Sequence, residues 1–140
     1  MAVPIFDSFA RVVAERLVVP VALVTLVDVE KQVFPGAFGL ARPWDDERWT
    51  PLSLSFCQHV VASGRPLVVP NAHDVPLVAD NLAIMELGVI AFAGVPLRAG
   101  EGSVVGSVSA IDHRPRQWTD AELRELAEIA EECSTELGVH

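Results

Sequence analysis

Residues 53–61 read SLSFCQHVV and set a thiol and an imidazole two positions apart, Cys57 and His59. Those residue types suit a nucleophile with its base, or two ligands of one metal. The spacing argues against both. Ser55 and Gln58 have the S-x-x-Q form of a capping box, which predicts a helix start, and Gly64 is placed to end that helix two turns later. Residues two apart on a helix project about 200° from one another, so Cys57 and His59 face nearly opposite sides. A cap at Ser55 puts Cys57 at the second helical position, where free N–H groups and the helix dipole lower a thiol pKa. Set beside Phe56, Val60 and Val61, the same cysteine also reads as a small buried hydrophobe. A structural or pocket-wall role is preferred, with a redox-sensitive or catalytic thiol as alternatives.

The other candidates are scattered. His73-Asp74 lies in a long connection that is able to face the same cavity, and His113 follows a strand in a polar turn. Histidines without ligand spacing point away from a metal centre. The acidic pairs Asp45-Asp46 and Glu131-Glu132 read as solvated faces. Gly100-Glu101-Gly102 is too short for a phosphate loop and reads as a hairpin turn. Trp44 and Trp49 either lid a pocket or pack on their own domain, and Trp118 anchors the start of the last helix.

Such residues need elements to hold them. IFDSFARVVAERLVVP spaces Ile5, Phe9, Val12, Val13 and Leu17 as an amphipathic helix that Pro20 ends. VALVTLVDV (21–29) reads as a largely buried strand, and KQVFPGAFGL as its hairpin partner, interrupted at Pro35-Gly36. ARPWDDERWTPL has no period and is expected to be a loop. PLVVP (66–70) is a short strand, and the connection 71–88 holds one helix near residues 81–87. VIAFAGVPLRA and VVGSVSAID are two strands joined by the glycine turn, and Thr119-Asp120-Ala121-Glu122 is a second capping box, opening a helix to about Leu137. Hairpins early and late in the chain predict a largely antiparallel sheet with helices packed on it, an α+β fold in one domain over residues 1–140.

Composition bounds the function. Half of the 140 residues are hydrophobic, which is enough for a full core and excludes disorder. Ten Lys and Arg against nineteen Asp and Glu give a net charge of -9, a surface that repels nucleic-acid backbones and anionic lipid. No apolar run approaches a membrane span, and two cysteines without a disulfide framework fit a reducing cytoplasm.

The segments SFCQHVVASGRPLVVPNA (55–72), LGVIAFAGVPLRAGEG (87–102) and VVGSVSAIDHRPRQWTDAEL (104–123) resemble a GAF domain, over roughly residues 5–137. Gly94-Val95-Pro96-Leu97, the Gly-Ser-Val run at 106–108 and Ile111-Asp112-His113 are similar to the subgroup found beside bacterial kinases, phosphatases and cyclases. The resemblance implies a sensory or regulatory module for a small molecule, acting with an output domain or partner protein. It also implies terminal helices on one sheet face, a pocket on the other, and a homodimer through those helices. The chain is then either a piece of a larger signalling protein or acts on a separate one. The Asn-Lys-Phe-Asp-Glu signature of the cyclic-nucleotide subgroup is missing. Gln58 separates Cys57 from His59 where bilin-binding members have adjacent Cys-His, and there is no tyrosine. No cofactor or metal is therefore expected. Phe56, Cys57, His73, Met85, Phe92, Ser107 and Ser109 are the pocket candidates. Family members that reduce free methionine sulfoxide supply the enzyme alternative, with Cys57 as nucleophile. Cys133, which falls on the apolar stripe Leu123, Leu126, Ala130, Leu137, reads more simply as a packing residue than as its resolving partner.

Overall fold

A computed structural model describes residues 2–139 of the chain. Helix α1 (Pro4–Leu17) begins with proline in its first turn, where the missing N–H has no helical partner to lose, and closes on Val18 in the left-handed region. Strand β1 (Val21–Val27) turns back into β2 (Lys31–Phe38) through a reversal in which the Asp28 carboxylate accepts the N–H groups of Glu30 and Lys31. Val24 pairs with Gly36 and Leu26 with Val33, so Phe34 and Pro35 oppose Thr25 alone, a bulge at the expected interruption.

The stretch 41–52 corrects the sequence reading of a loop. It contains a single helical turn, α2 (Trp44–Glu47), and an edge strand, β3 (Trp49–Pro51). Elements of four and three residues carry no detectable period. Helix α3 (Cys57–Ser63) stops at Gly64, whose φ of 68° is one that glycine adopts freely. Then follow β4 (Leu67–Val69), α4 (Ala83–Leu87), β5 (Ala91–Arg98), β6 (Val104–Asp112) and α5 (Asp120–Val139).

The six strands form one antiparallel sheet in the order β3-β2-β1-β6-β5-β4, the α+β architecture. The edge at β4 is blunted: it lies between Pro66 and Pro70, and Trp118 Nε1 and the Arg116 N–H donate to the carbonyls of Val69 and Pro70. Among the described residues no helix is long and apolar enough to cross a membrane.

Alternation along the central strands builds two cores. Val24, Ala93, Val95, Val108 and Ala110 meet α1 and α5 on one face. Leu23, Phe92 and Ile111 meet Phe56, Val60 and Ala83 on the other. One stripe differs in part from expectation. In α1 the inward residues are Phe6, Ala10, Val13, Ala14 and Leu17, while Ile5 is exposed. Small residues face the sheet, and the helix lies directly on it: a β-carbon on Gly36 would stand 2.3 Å from the Phe6 carbonyl oxygen. In α5, Leu126, Ile129, Ala130 and Cys133 are all at or below 3% exposure, so the apolar stripe covers the chain's own sheet.

Candidate functional site

Between the sheet and the α3–α4 layer lies a small, partly closed cavity of about 20 Å³, bounded by Leu23, Phe56, Cys57, Phe92 and Ile111 from within and by Ala83 and Leu87 from α4. Larger depressions, along Arg42–Glu47 and between α5 and β5 beside Pro66 and Pro96, are open surface grooves. The small cavity is the candidate site because a buried polar group without a partner borders it.

Each wall residue is placed by a local rule. Ser55 Oγ accepts the Gln58 N–H at 3.1 Å, so the first half of the capping box forms. The second half does not: Gln58 Nε2 donates to the carbonyls of Leu52 and Ser55, pinning the preceding 3-10 turn to α3. This start turns Cys57 onto the sheet. Its sulfur accepts a hydrogen bond from Ser107 Oγ at 2.8 Å. Thr25, the cross-strand partner of Ser107, and Ser109 are fully buried nearby. Their hydroxyls stand close enough to favour a thiolate, yet neither makes a well-formed hydrogen bond to any group. Burial outweighs them and pushes the Cys57 thiol above its ordinary range, so it is neutral near pH 7.

The missed residue is Gln32. It is 3% exposed, and its Nε2 donates to Thr50 Oγ1 at 2.8 Å and to the Leu54 carbonyl at 3.0 Å. A carbonyl only accepts, which fixes the amide orientation and leaves Oε1 with no partner. The period of two in β2 was the available signal, since Gln32 shares its face with Phe34.

Of the expected pocket residues, Phe56, Cys57 and Phe92 border the cavity, with the two rings 5.3 Å apart and tilted by 50°. Ser107 and Ser109 lie behind Cys57 on β6, as alternation required. His73 and Met85 are corrections. His73 is exposed in a one-turn 3-10 helix whose inward position is taken by Ala72. Met85 is 85% exposed because Ala83 and Leu87, four apart, own the inner side of α4 and leave Met85 on the outer one. His113 Nδ1 donates to the Gly88 carbonyl at the surface, at 2.8 Å. Trp44 packs on the pocket-side core, Trp49 lies half-exposed with the Lys31 ammonium 5.8 Å from its ring, and Trp118 anchors the α5 entry. Cys133 sits in the opposite core, where burial and then Glu136 push its thiol up to about 12. The sheet separates the two thiols.

The comparisons agree with this geometry. A cyclic di-GMP phosphodiesterase of Pseudomonas aeruginosa is 30% identical over 113 residues, which are 80% of this chain and 18% of that protein. The chain thus spans under a fifth of the curated relative. The blue-light-absorbing PixJ GAF domain of Thermosynechococcus elongatus superposes with a TM-score of 0.76 at 20% identity, over 96% of this chain and 83% of that one. A substrate complex of the free methionine-R-sulfoxide reductase of Neisseria meningitidis gives 0.73 at 20%, over 94% and 75%. At such identities the structures share the fold and no more. The family model for the GAF domain matches residues 3–137, and the chain belongs to that family.

Proposed function

We propose that this GAF domain is the sensory module of a bacterial signalling protein, that a small molecule occupies the cavity beneath α3 and α4, and that the terminal helices relay its presence to an output region. One observation carries the reading: the uncharged cavity and the terminal helices lie on opposite faces of the same three central strands. Leu23 and Phe92 border the cavity, while their chain neighbours Val24 and Ala93 lie under α1 and α5. A change in cavity packing therefore reaches the helices within one residue. The relatedness to a phosphodiesterase of a signalling nucleotide supports a place in signal transduction, in the cytoplasm. On this reading the chain is one domain, its partners are an output domain or protein and a second copy, and it needs no resident cofactor.

The dimer is proposed through the outward faces of α1 and α5. Arg11, Glu15 and Arg16 are exposed on the first and Arg124, Glu128, Glu131 and Glu132 on the second, so a net basic face of α1 is set to meet a net acidic face of α5 across a two-fold axis. A melting-temperature screen against neutral metabolites tests the sensor reading. Saturable stabilisation is expected in the natural chain and is expected to vanish in Ala83→Leu, which fills the cavity from α4. If no compound stabilises, or the variant responds equally, the cavity is not the site. Reduction of free methionine sulfoxide provides the contrast. Turnover that depends on Cys57 would replace the sensory reading with the enzymatic one. The buried, neutral Cys57 and its separation from Cys133 support the former.

A further inference from the structure

We infer that the cavity selects a small uncharged molecule, apolar over most of its surface and carrying one N–H or O–H donor, which Gln32 Oε1 receives. The inference rests on the cavity being a ligand site, and it names the chemistry of that ligand. No Asp, Glu, Lys, Arg or His side chain lines the space. An ion placed there would lose its hydration with no countercharge, which disfavours carboxylates, phosphates and ammonium groups alike.

The polar side chains at the wall are Gln32 and Cys57. Cys57 is a neutral thiol whose sulfur already accepts from Ser107. Gln32 is different. Its nitrogen is held by Thr50 and Leu54, so the amide cannot turn to find a partner, and Oε1 stays bare inside the fold. Among the side chains of the wall, Oε1 is the one unpartnered acceptor. A ligand that brings one donor and otherwise carbon satisfies Oε1 and loses nothing elsewhere.

Size follows from the outer wall. The space admits about one water-sized group. Its outer side is α4, five residues long, tied to the turn before α3 by the Leu82 N–H to Ser53 O and by Asn81 Nδ2 to Ser55 O. Ala83 and Leu87 point in, while Leu82 and Met85 stand in solvent. A ligand of one ring or a short branched chain has to displace this short element outward to fit beside the Phe56 and Phe92 rings.

Three one-ring probes separate the chemistry: phenol has a donor, toluene has the shape without it, and benzoate has the charge. Binding to the full chain is followed by methyl NMR at Leu87 and Val89. Phenol is expected to bind roughly tenfold more tightly than toluene, and benzoate not at all. In Gln32→Met the two neutral probes should converge, through lost phenol affinity. Equal binding of phenol and toluene to the natural chain, or tighter binding of benzoate, overturns the ligand class while leaving the cavity reading intact. Binding of none of the three overturns the cavity reading too. Should Gln32→Met fail to fold, Ala83→Leu decides: loss of the phenol shifts, with the tenfold preference seen in the natural chain, supports the inference. Persistence of those shifts refutes it.

Discussion

Two thiols in one small domain invite a redox reading, and burial decides against it at both. The hydroxyls of Ser107, Thr25 and Ser109 around Cys57 are the groups that would steady a thiolate, but removal from water is the larger effect. Cys133 is held neutral by the same cause, with the Glu136 carboxylate adding to it. We expect neither thiol to react with an aromatic disulfide reagent at pH 8 in the native protein, and both to react in denaturant. A rapidly titrating native thiol removed by Cys57→Ser would overturn this. The residue scale also holds a strained point. Val18 caps α1 at φ 54°, a region that costs a β-branched residue about 1–2 kcal/mol. Its side chain is 78% exposed and contributes little packing. Val18→Gly is therefore expected to raise stability by about 0.5–1 kcal/mol, after the extra freedom glycine gives the unfolded chain. Urea denaturation checks it, and a loss of stability would show that the left-handed turn is not strained.

Elements are joined here by Arg116 more than by any loop. Its guanidinium donates to the carbonyls of Leu17 and Val18 at the end of α1, pairs with Asp112 at the end of β6 and Glu122 in the first turn of α5, and lies 4.7 Å from the Trp118 ring. Glu122 serves the capping box as well, accepting the Thr119 N–H while Thr119 Oγ1 accepts the Glu122 N–H. Burial pushes the Glu122 carboxyl up, yet the Thr119 N–H and Arg116 together hold it below its ordinary 4.5. A carboxylate with a depressed folded pKa adds stability that is fully present above the unfolded value and is lost as pH falls through the folded one. Glu122→Gln should therefore lower stability at pH 7 and flatten the decline below about pH 4.5; an unchanged acid limb in urea titrations would show that the latch carries no such weight. This capping box was legible in the sequence because both partners and their spacing are local. The 55–58 box was half legible, since nothing local tells that Gln58 prefers the Leu52 and Ser55 carbonyls. The α1 stripe was legible in part: Val13 and Leu17 are buried and Phe9 and Val12 pack on the same core, while Ile5 is exposed. Large residues mark a hydrophobic face, but not that the Phe6 backbone rests on Gly36 or that Ala10 and Ala14 are buried on the same helix. Gln32 went unseen because strand alternation gives its face but not its bare oxygen.

At the scale of the molecule, one sheet serves two cores, and the terminal helices have to cover the second before they can serve a partner. Leu126 and Ala130 are 0% and 3% exposed within the chain itself. Glutamate at both would force two carboxylates into an apolar layer, each at a cost of several kcal/mol against a total stability of about 5–15 kcal/mol. The double variant Leu126→Glu, Ala130→Glu is expected to unfold the domain instead of yielding a soluble monomer. What remains for a second copy is the outer surface: Ile5, Arg11, Glu15 and Arg16 on α1, and Ala127, Glu128 and Glu132 on α5. In a two-fold contact that lays α1 of one protomer on α5 of its partner, arginines meet glutamates, and apolar Ile5 fills between them. Ile5→Glu with Arg16→Glu adds like charge opposite an acidic helix at two exposed positions, clear of the buried stripe. Sedimentation equilibrium should then find a folded monomer where the natural chain is dimeric, and the natural dimer should weaken as salt rises from 0.05 to about 0.5 M, because its charge pairs are exposed and screened. A natural chain that is monomeric at high micromolar concentration removes the proposed dimer. A dimer indifferent to both changes places the contact elsewhere.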